Sequence, residues 1–348
     1  MDHDSPLSAR HPLPLDEAPR RVLTTRQLRE YGVGGADAAG RCRPGGPWQQ
    51  LLPGVFLLHP GPPTSEERLH AALLYTAYRP QGVPSQSRRE GPAAGSGPYG
   101  EAMVTGLAAL ALRRFSAAPP LLSLDRISVL VPRTRRLRST GFVEVVRAVE
   151  LPEPQEVTGV PVAPVERALA DAVARLCEPV AVLRLLTEAV RAGHCEAGAA
   201  VRELGRARLL TRPHVVDAVD RLVAEGRAIA ETALYATVRG HRLPEPLWNV
   251  ELRAAGGPAL GGVDAYWPEQ AVAVEIDVRS PCADADADAV LRDRARRREL
   301  LERLGITVVH LSPRKLREAA AEQAAVVRTA LMAADDRDPA AYVVVLPR

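Results

Sequence analysis

The residues best suited to chemistry in this chain collect in one stretch, GGVDAYWPEQAVAVEID, from Gly261 to Asp277. Side chains on a strand alternate between faces, so Ala271, Ala273, Glu275 and Asp277 share one face and Val272, Val274, Ile276 and Val278 the other. With a hairpin turning through Trp267 to Gln270, Tyr266 pairs with Ala271 and Asp264 with Ala273. Asp264 then joins the acidic face, diagonal to Glu275. Glu231 lies on a helix stripe with Leu234, Tyr235 and Val238 and adds a fourth carboxylate, directed at whatever that helix covers. Like charges buried together raise one another's pKa values unless a cation is present. The spacing therefore suits a divalent metal, Mg²⁺ favouring such oxygen ligands, or a held proton. It is met equally by a strand ending in solvent, with Asp264 facing water and Glu231 paired to an arginine.

Positioning this corner takes a compact α/β unit. The pattern predicts a helix over AIAETALYATVRG, strands LWNVELRA, GGVDAYW and AVAVEIDV, a helix from about Ala287 to Leu304, and a strand ITVVHL. A closing helix starts at Pro313 with Ser312 as its cap, and a tail strand YVVVL at 342–346 can extend a sheet edge. Asp284, Asp286 and Asp288 match the first positions of a calcium loop, but Ala289 and Ala295 replace its glycine and closing glutamate. A solvated acidic loop is the plainer reading, with Asp288 near a helix N-terminus.

Upstream, residues 164–226 carry apolar side chains at helical spacing and read as a helical connector. Residues 101–163 read as a small α+β domain: a helix EAMVTGLAALALRRF, a strand RISVLVP, a basic turn RTRRLRSTG and a strand FVEVVRAV. Residues 79–100, rich in Pro, Gly and Ser, read as a flexible insertion, and residues 1–20 as a disordered leader. Between them, residues 21–78 carry TTRQLREYG, with Thr24 and Gln27 at capping-box spacing, a second short helix, and a hairpin around Pro53-Gly54. That is the outline of a winged helix.

At 348 residues the chain is long enough for several cores, and 46% apolar with 25% charged residues is a globular composition. The net charge of +3 says little about partners. The basic residues are almost all arginine, Lys315 being the single lysine. Cys42, Cys177, Cys195 and Cys282 show neither a C-x-x-C pair nor zinc-ligand spacing, so reduced thiols in a cytoplasmic protein are expected. The N-terminus lacks a secretory apolar core, and no apolar run reaches the roughly 20 residues of a membrane span.

The stretch GGVDAYWPEQAVAVEID followed by LRDRARRRELLERLGITVVHL resembles the actinobacterial type of very-short-patch-repair endonuclease-like domain, in the PD-(D/E)XK nuclease superfamily. The likeness covers about Gly226 to Leu331. It implies a restriction-endonuclease-like α/β fold, Asp264 and Glu275 as ligands of Mg²⁺, Glu231 and Asp277 as further acids of the site, and phosphodiester hydrolysis by a metal-activated water. The chain departs from the pattern at Val278, where relatives have glycine. A histidine that follows in relatives is missing before His310, and Asp277 stands where the superfamily has lysine.

The first 225 residues resemble AbiEi-type antitoxin-like proteins through LTTRQLREYGV, WQQLLPGVFLL, VTGLAALALRRF, ISVLVPRTRR and GVPVAPVERALADA. This implies binding of double-stranded DNA by a winged helix, with a helix in the major groove and a wing on the backbone. Candidate contacts are Arg26, Arg29, Arg41 and Arg43, with Trp48 and Gln49 in the wing and a second basic stretch at Arg133, Arg135, Arg136 and Arg138. A solvated basic surface is the competing reading. The expected fold is multidomain α+β: winged helix, small α+β domain, helical connector, an endonuclease-like α/β domain over 227–332, and a tail at 333–348. Three functions fit: a DNA-binding regulator or antitoxin-like factor with a degenerate nuclease domain, an active Mg²⁺-dependent endodeoxyribonuclease, or a non-catalytic interaction scaffold.

Overall fold

The structure is a computed structural model describing residues 21–77, 98–257, 259–277, 287–335 and 343–347. Among the described residues it is a mixed α/β protein with eleven α-helices and three sheets. The expected leader, nearly all of the 79–100 insertion, the acidic loop up to Asp286 and residues 336–342 lie outside the described residues. No described helix is long and apolar enough to cross a membrane. The chain divides into two compact units, Met1–Ala172 and Val173–Arg348.

The first unit opens with β1 (Val22–Thr24), α1 (Thr25–Glu30), α2 (Gly35–Arg41), β2 (Gln49–Leu52), β3 (Val55–Leu57) and α3 (Ser65–Ala77). The antiparallel sheet has the order β1-β3-β2. Thr24 forms the expected capping box with Gln27: its hydroxyl accepts from the Gln27 N–H (3.2 Å) and Gln27 Oε1 accepts from the Thr24 N–H (2.8 Å). The helices close on the sheet because Leu23, Leu28, Val33, Ala38, Trp48 and Phe56 are buried together.

The same unit continues with β4 (Met103–Thr105), α4 (Gly106–Leu112), β5 (Ile127–Pro132), β6 (Val143–Ala148), β7 (Gln155–Val157), β8 (Val160–Val162) and α5 (Val165–Val173), in sheet order β6-β5-β4-β8-β7. One helix was expected over EAMVTGLAALALRRF. Met103 to Thr105 instead form the buried central strand, and Gly106 turns the chain into the helix at φ +62°, a conformation open to glycine.

In the second unit, α6 (Pro179–Arg191), α7 (Ala197–Arg206) and α8 (Pro213–Gly240) precede β9 (Leu247–Ala254), β10 (Ala259–Trp267) and β11 (Val272–Ile276). Then come α9 (Ala287–Arg303), β12 (Thr307–Leu311), α10 (Pro313–Glu318), α11 (Ala320–Asp335) and β13 (Val343–Pro347). The sheet order is β12-β11-β10-β9-β13, with β11 and β12 parallel; the tail strand lies at a sheet edge, as expected, and its neighbour there is β9. The expected break at residue 226 is absent, because α8 runs through it. Gly226 is there for packing: a Cβ on it would stand 2.9 Å from Ala197 Cβ of α7.

Two cores flank this sheet. Val272, Val274, Ile276, Ala265 and Trp267 pack against α8, α10 and α11. Ala271, Ala273, Tyr266 and Val263 pack with Leu301 of α9. Trp267 is 2% exposed and its indole N–H donates to the Pro244 carbonyl (2.8 Å), so truncation to alanine costs about 3–5 kcal/mol.

Candidate functional site

The β10–β11 hairpin differs in register from the sequence expectation. Tyr266 pairs with Ala273 and Ala265 with Val274, because the loop closes through Ala271 at φ +48°. Continued one step, this sets Asp264 level with Glu275 rather than diagonal to it. Alternation also breaks at Asp264. Val263 and Tyr266 both belong to the α9-side core while Ala265 faces α8. On β9, Val250 and Trp248 divide between the cores in the same way, around Asn249 at φ +54°. Asp264 thus sits where the strand rotates.

That position sends its carboxylate to α8 and to the neighbouring strand. Asp264 is 8% exposed; Oδ2 accepts from the Ile276 N–H (2.7 Å), taking the place of a ladder carbonyl, and Oδ1 accepts from Arg227 Nη2. Arg227 Nε also donates to Glu231 Oε1 at 2.7 Å, so one guanidinium bridges two of the expected site acids. A planar fork suits this double task.

Glu275 has a different surrounding. Arg297 Nη2 lies 2.8 Å from its Oε1, and His310, its register partner on β12, brings Nδ1 to 3.8 Å from Oε2. The N–H groups of Arg297 are aimed elsewhere, Nε at the Leu260 carbonyl and Nη2 at the Gly262 carbonyl (2.9 Å). Glu275 Oε1 is therefore buried beside a positive charge with no hydrogen bond directed at it. Gly261, at φ +93°, makes room for this arginine, since a Cβ there would stand 2.8 Å from Arg297 Nε. Asp277 is exposed at the strand end, its N–H donating to the Leu311 carbonyl (2.9 Å). Burial pushes the nearby Tyr266 hydroxyl up from its ordinary range.

The four acids are thus placed in separate arrangements: Glu231 and Asp264 on Arg227, Glu275 beside Arg297 and His310, and Asp277 exposed at the strand end. Among the described residues no three His, Cys, Asp or Glu side chains assemble as metal donors. Asp264 has both oxygens engaged, and the open oxygen of Glu275 already faces a fixed guanidinium, so a dication there would meet like charge. As arranged, the expected Asp264 and Glu275 pair does not fit Mg²⁺.

Sequence reasoning offered an arginine partner for Glu231, which is present, but named neither of the residues that decide this, Arg227 and Arg297. The first carried a signal, lying one helical turn before Glu231 at ion-pair spacing.

The basic candidates lie in the first unit. Arg26 and Arg29 are exposed on α1, Arg26 within 3.7 Å of Glu30. Arg41 is exposed at the end of α2, its guanidinium 4.5 Å over the Trp48 ring, and Arg43 is exposed just beyond. Trp48 itself is 6% exposed and belongs to the core, and Gln49 Nε2 donates to the His59 (3.0 Å) and Gly61 carbonyls, tying down the chain after β3. Both expected wing contacts therefore have structural tasks. Apart from Arg41, whose guanidinium lies over Trp48, the outward residues of α2, Ala36, Asp37 and Ala39, are short, so this helix has little reach toward base edges.

Arg133, Arg136 and Arg138 are exposed on the turn after β5. Arg135 donates to the Thr76 carbonyl near the end of α3, and Tyr75 and Arg147 bond the turn's own carbonyls. That turn is thereby built against α3, leaving three of its four arginines outward.

Comparison with family models gives no match, and comparison with curated protein sequences gives none.

Proposed function

We propose that this chain is a double-stranded-DNA-binding protein of the regulator or antitoxin-like kind, with a nuclease-like C-terminal domain that does not cut. The observation that carries the reading is the pairing of the acids. Arg227 holds Asp264 and Glu231 together, and Arg297 stands at 2.8 Å from Glu275, so built-in cations occupy the place a divalent metal would need. The absence of a lysine after Glu275-Ile276 and of a histidine before His310 supports the same conclusion, for the groups that would assist an attacking water are missing.

DNA binding is assigned to the first unit, in which two short helices and a hairpin are read as a winged helix. Its exposed Arg26, Arg29, Arg41 and Arg43 suit phosphate contacts, and α2 offers little for base readout. Binding is accordingly expected to be salt-dependent and weakly sequence-selective. The competing reading, a Mg²⁺-dependent endodeoxyribonuclease, requires Arg227 to leave Asp264.

Anisotropy titration of a labelled duplex over a salt series tests the binding half. The expected result is affinity that falls steeply with salt and a slope that drops in an Arg29→Ala/Arg43→Ala variant. No binding at low salt would favour a scaffold without nucleic acid.

A further inference from the structure

On α8 the residues Arg227, Glu231, Tyr235 and Arg239 recur every four positions and form one stripe. Its first half belongs to the acidic corner. The second half has no part in it: Tyr235 is 38% exposed, the Arg239 guanidinium lies 4.4 Å over its ring, and Trp248 of β9 stands against it at 5.1 Å between ring centroids. Trp248 is half-buried, packed on one side against the α8-side core, with its indole N–H on Glu245 (2.9 Å). The chain holds only 3 Trp, 7 Tyr and 3 Phe, so a surface pair of large rings is not background. Leu247, 45% exposed, adjoins Trp248 in sequence.

The charge around the rings is mainly positive. Arg239 and Arg242 are exposed at the C-terminal end of α8, and the exposed Arg328 donates to the His241 carbonyl (2.8 Å), which brings a third guanidinium to the same end. Glu245 and Glu231 are the acids named beside them. A guanidinium plane held on the Tyr235 ring beside a tilted Trp248, with two more guanidinium groups at the same helix end, matches an unpaired base and its phosphates, since any base offers a π-face and arginine both stacks and pairs with phosphate. Tyr235 is one helical turn from Glu231, about 6 Å along the axis, so a strand held here would pass the acidic corner.

We infer that Tyr235, Arg239 and Trp248 form a stacking platform for single-stranded nucleic acid. The inference deepens the proposed function and rests on nucleic acid being the partner, but it uses residues of the second unit alone.

The test titrates the full chain with a labelled oligo(dT) and, separately, with a labelled duplex. It compares wild type, Tyr235→Ala, Arg239→Ala and Arg29→Ala/Arg43→Ala. Stacking predicts that wild type binds oligo(dT), that Tyr235→Ala weakens it by about tenfold or more, and that duplex affinity is unchanged by that substitution. Tryptophan emission gives an independent readout: Trp48 and Trp267 are 6% and 2% exposed, and the part of the oligo(dT) quenching that is lost in Trp248→Phe reports Trp248. Duplex binding without oligo(dT) binding, or oligo(dT) affinity indifferent to Tyr235 and Arg239, overturns the platform and leaves the N-terminal reading standing. Tyr235-dependent oligo(dT) binding with no duplex binding supports the platform and removes the N-terminal reading instead.

Discussion

Two pairs of arginines, one pair in each unit, do opposite work in this chain. In the second unit Arg227 and Arg297 are drawn into acceptors: one forks between Asp264 and Glu231, the other reaches two strand carbonyls beside Glu275. In the first unit Arg29 and Arg43 are exposed with no ion pair among the described residues. What differs is whether a rigid element places an acceptor within reach. A buried carboxylate fixed on a strand converts a neighbouring arginine into part of the fold, whereas a short helix facing water leaves it available to a ligand.

The sharpest way to break this contrast is to remove the pinned cation. Arg227→Ala leaves Asp264 buried and charged with only the Ile276 amide as partner, and is expected to cost about 2–3 kcal/mol, seen as a lower urea midpoint. A midpoint unchanged from wild type would mean the bridge carries no structural weight. Next in size, Arg29→Ala/Arg43→Ala should change stability by no more than about 0.5 kcal/mol while weakening duplex binding about tenfold and lowering the salt slope by about 2.

Lysine substitutions sharpen the comparison further. Arg227→Lys supplies charge but cannot serve both carboxylates, so a loss of about 1 kcal/mol is expected. Arg29→Lys keeps a phosphate contact and should leave duplex affinity nearly intact. Parallel urea and anisotropy titrations of the two variants measure this directly.

The smallest effect concerns an acid of the first unit held without arginine. Burial alone would raise the Glu67 carboxyl, but the Thr64 amide (2.8 Å), His59 (2.9 Å) and the Thr64 hydroxyl (3.0 Å) together bring it below its ordinary range. A lowered value means that its stabilisation is full above the ordinary carboxylate range and is lost as pH falls through the lowered one. Thermal melts taken from about pH 6 to about pH 3 should show a shallower acid limb in Glu67→Gln, by less than about 1 kcal/mol.

Much of the second unit was legible in the sequence. The Ala-Val alternation of β11, the helix before it, the long helix after it and the Ser312 cap all follow from period and capping chemistry, and each is present. What escaped was non-local. The register of β10 depended on a loop closing at Ala271, and the direction of Asp264 on a strand rotation shared with Asn249. Gly226 has the composition of a helix end, yet it is the contact where α7 meets a continuous helix. β4 hid in an apolar run that suits a helix as well as a buried strand. Trp48 looked like a wing residue and is core, because ring burial outweighs its proximity to arginines.

The most direct test of the central claim, that the acids of the second unit are neutralised by its own arginines, uses one sample. Supercoiled plasmid is incubated with the full chain at low salt and either Mg²⁺ or Mn²⁺, then examined for retardation and, after removing the protein, for nicking. The account predicts retarded DNA that is recovered uncut with either metal. Nicking by the wild type that disappears in Glu275→Ala would contradict it.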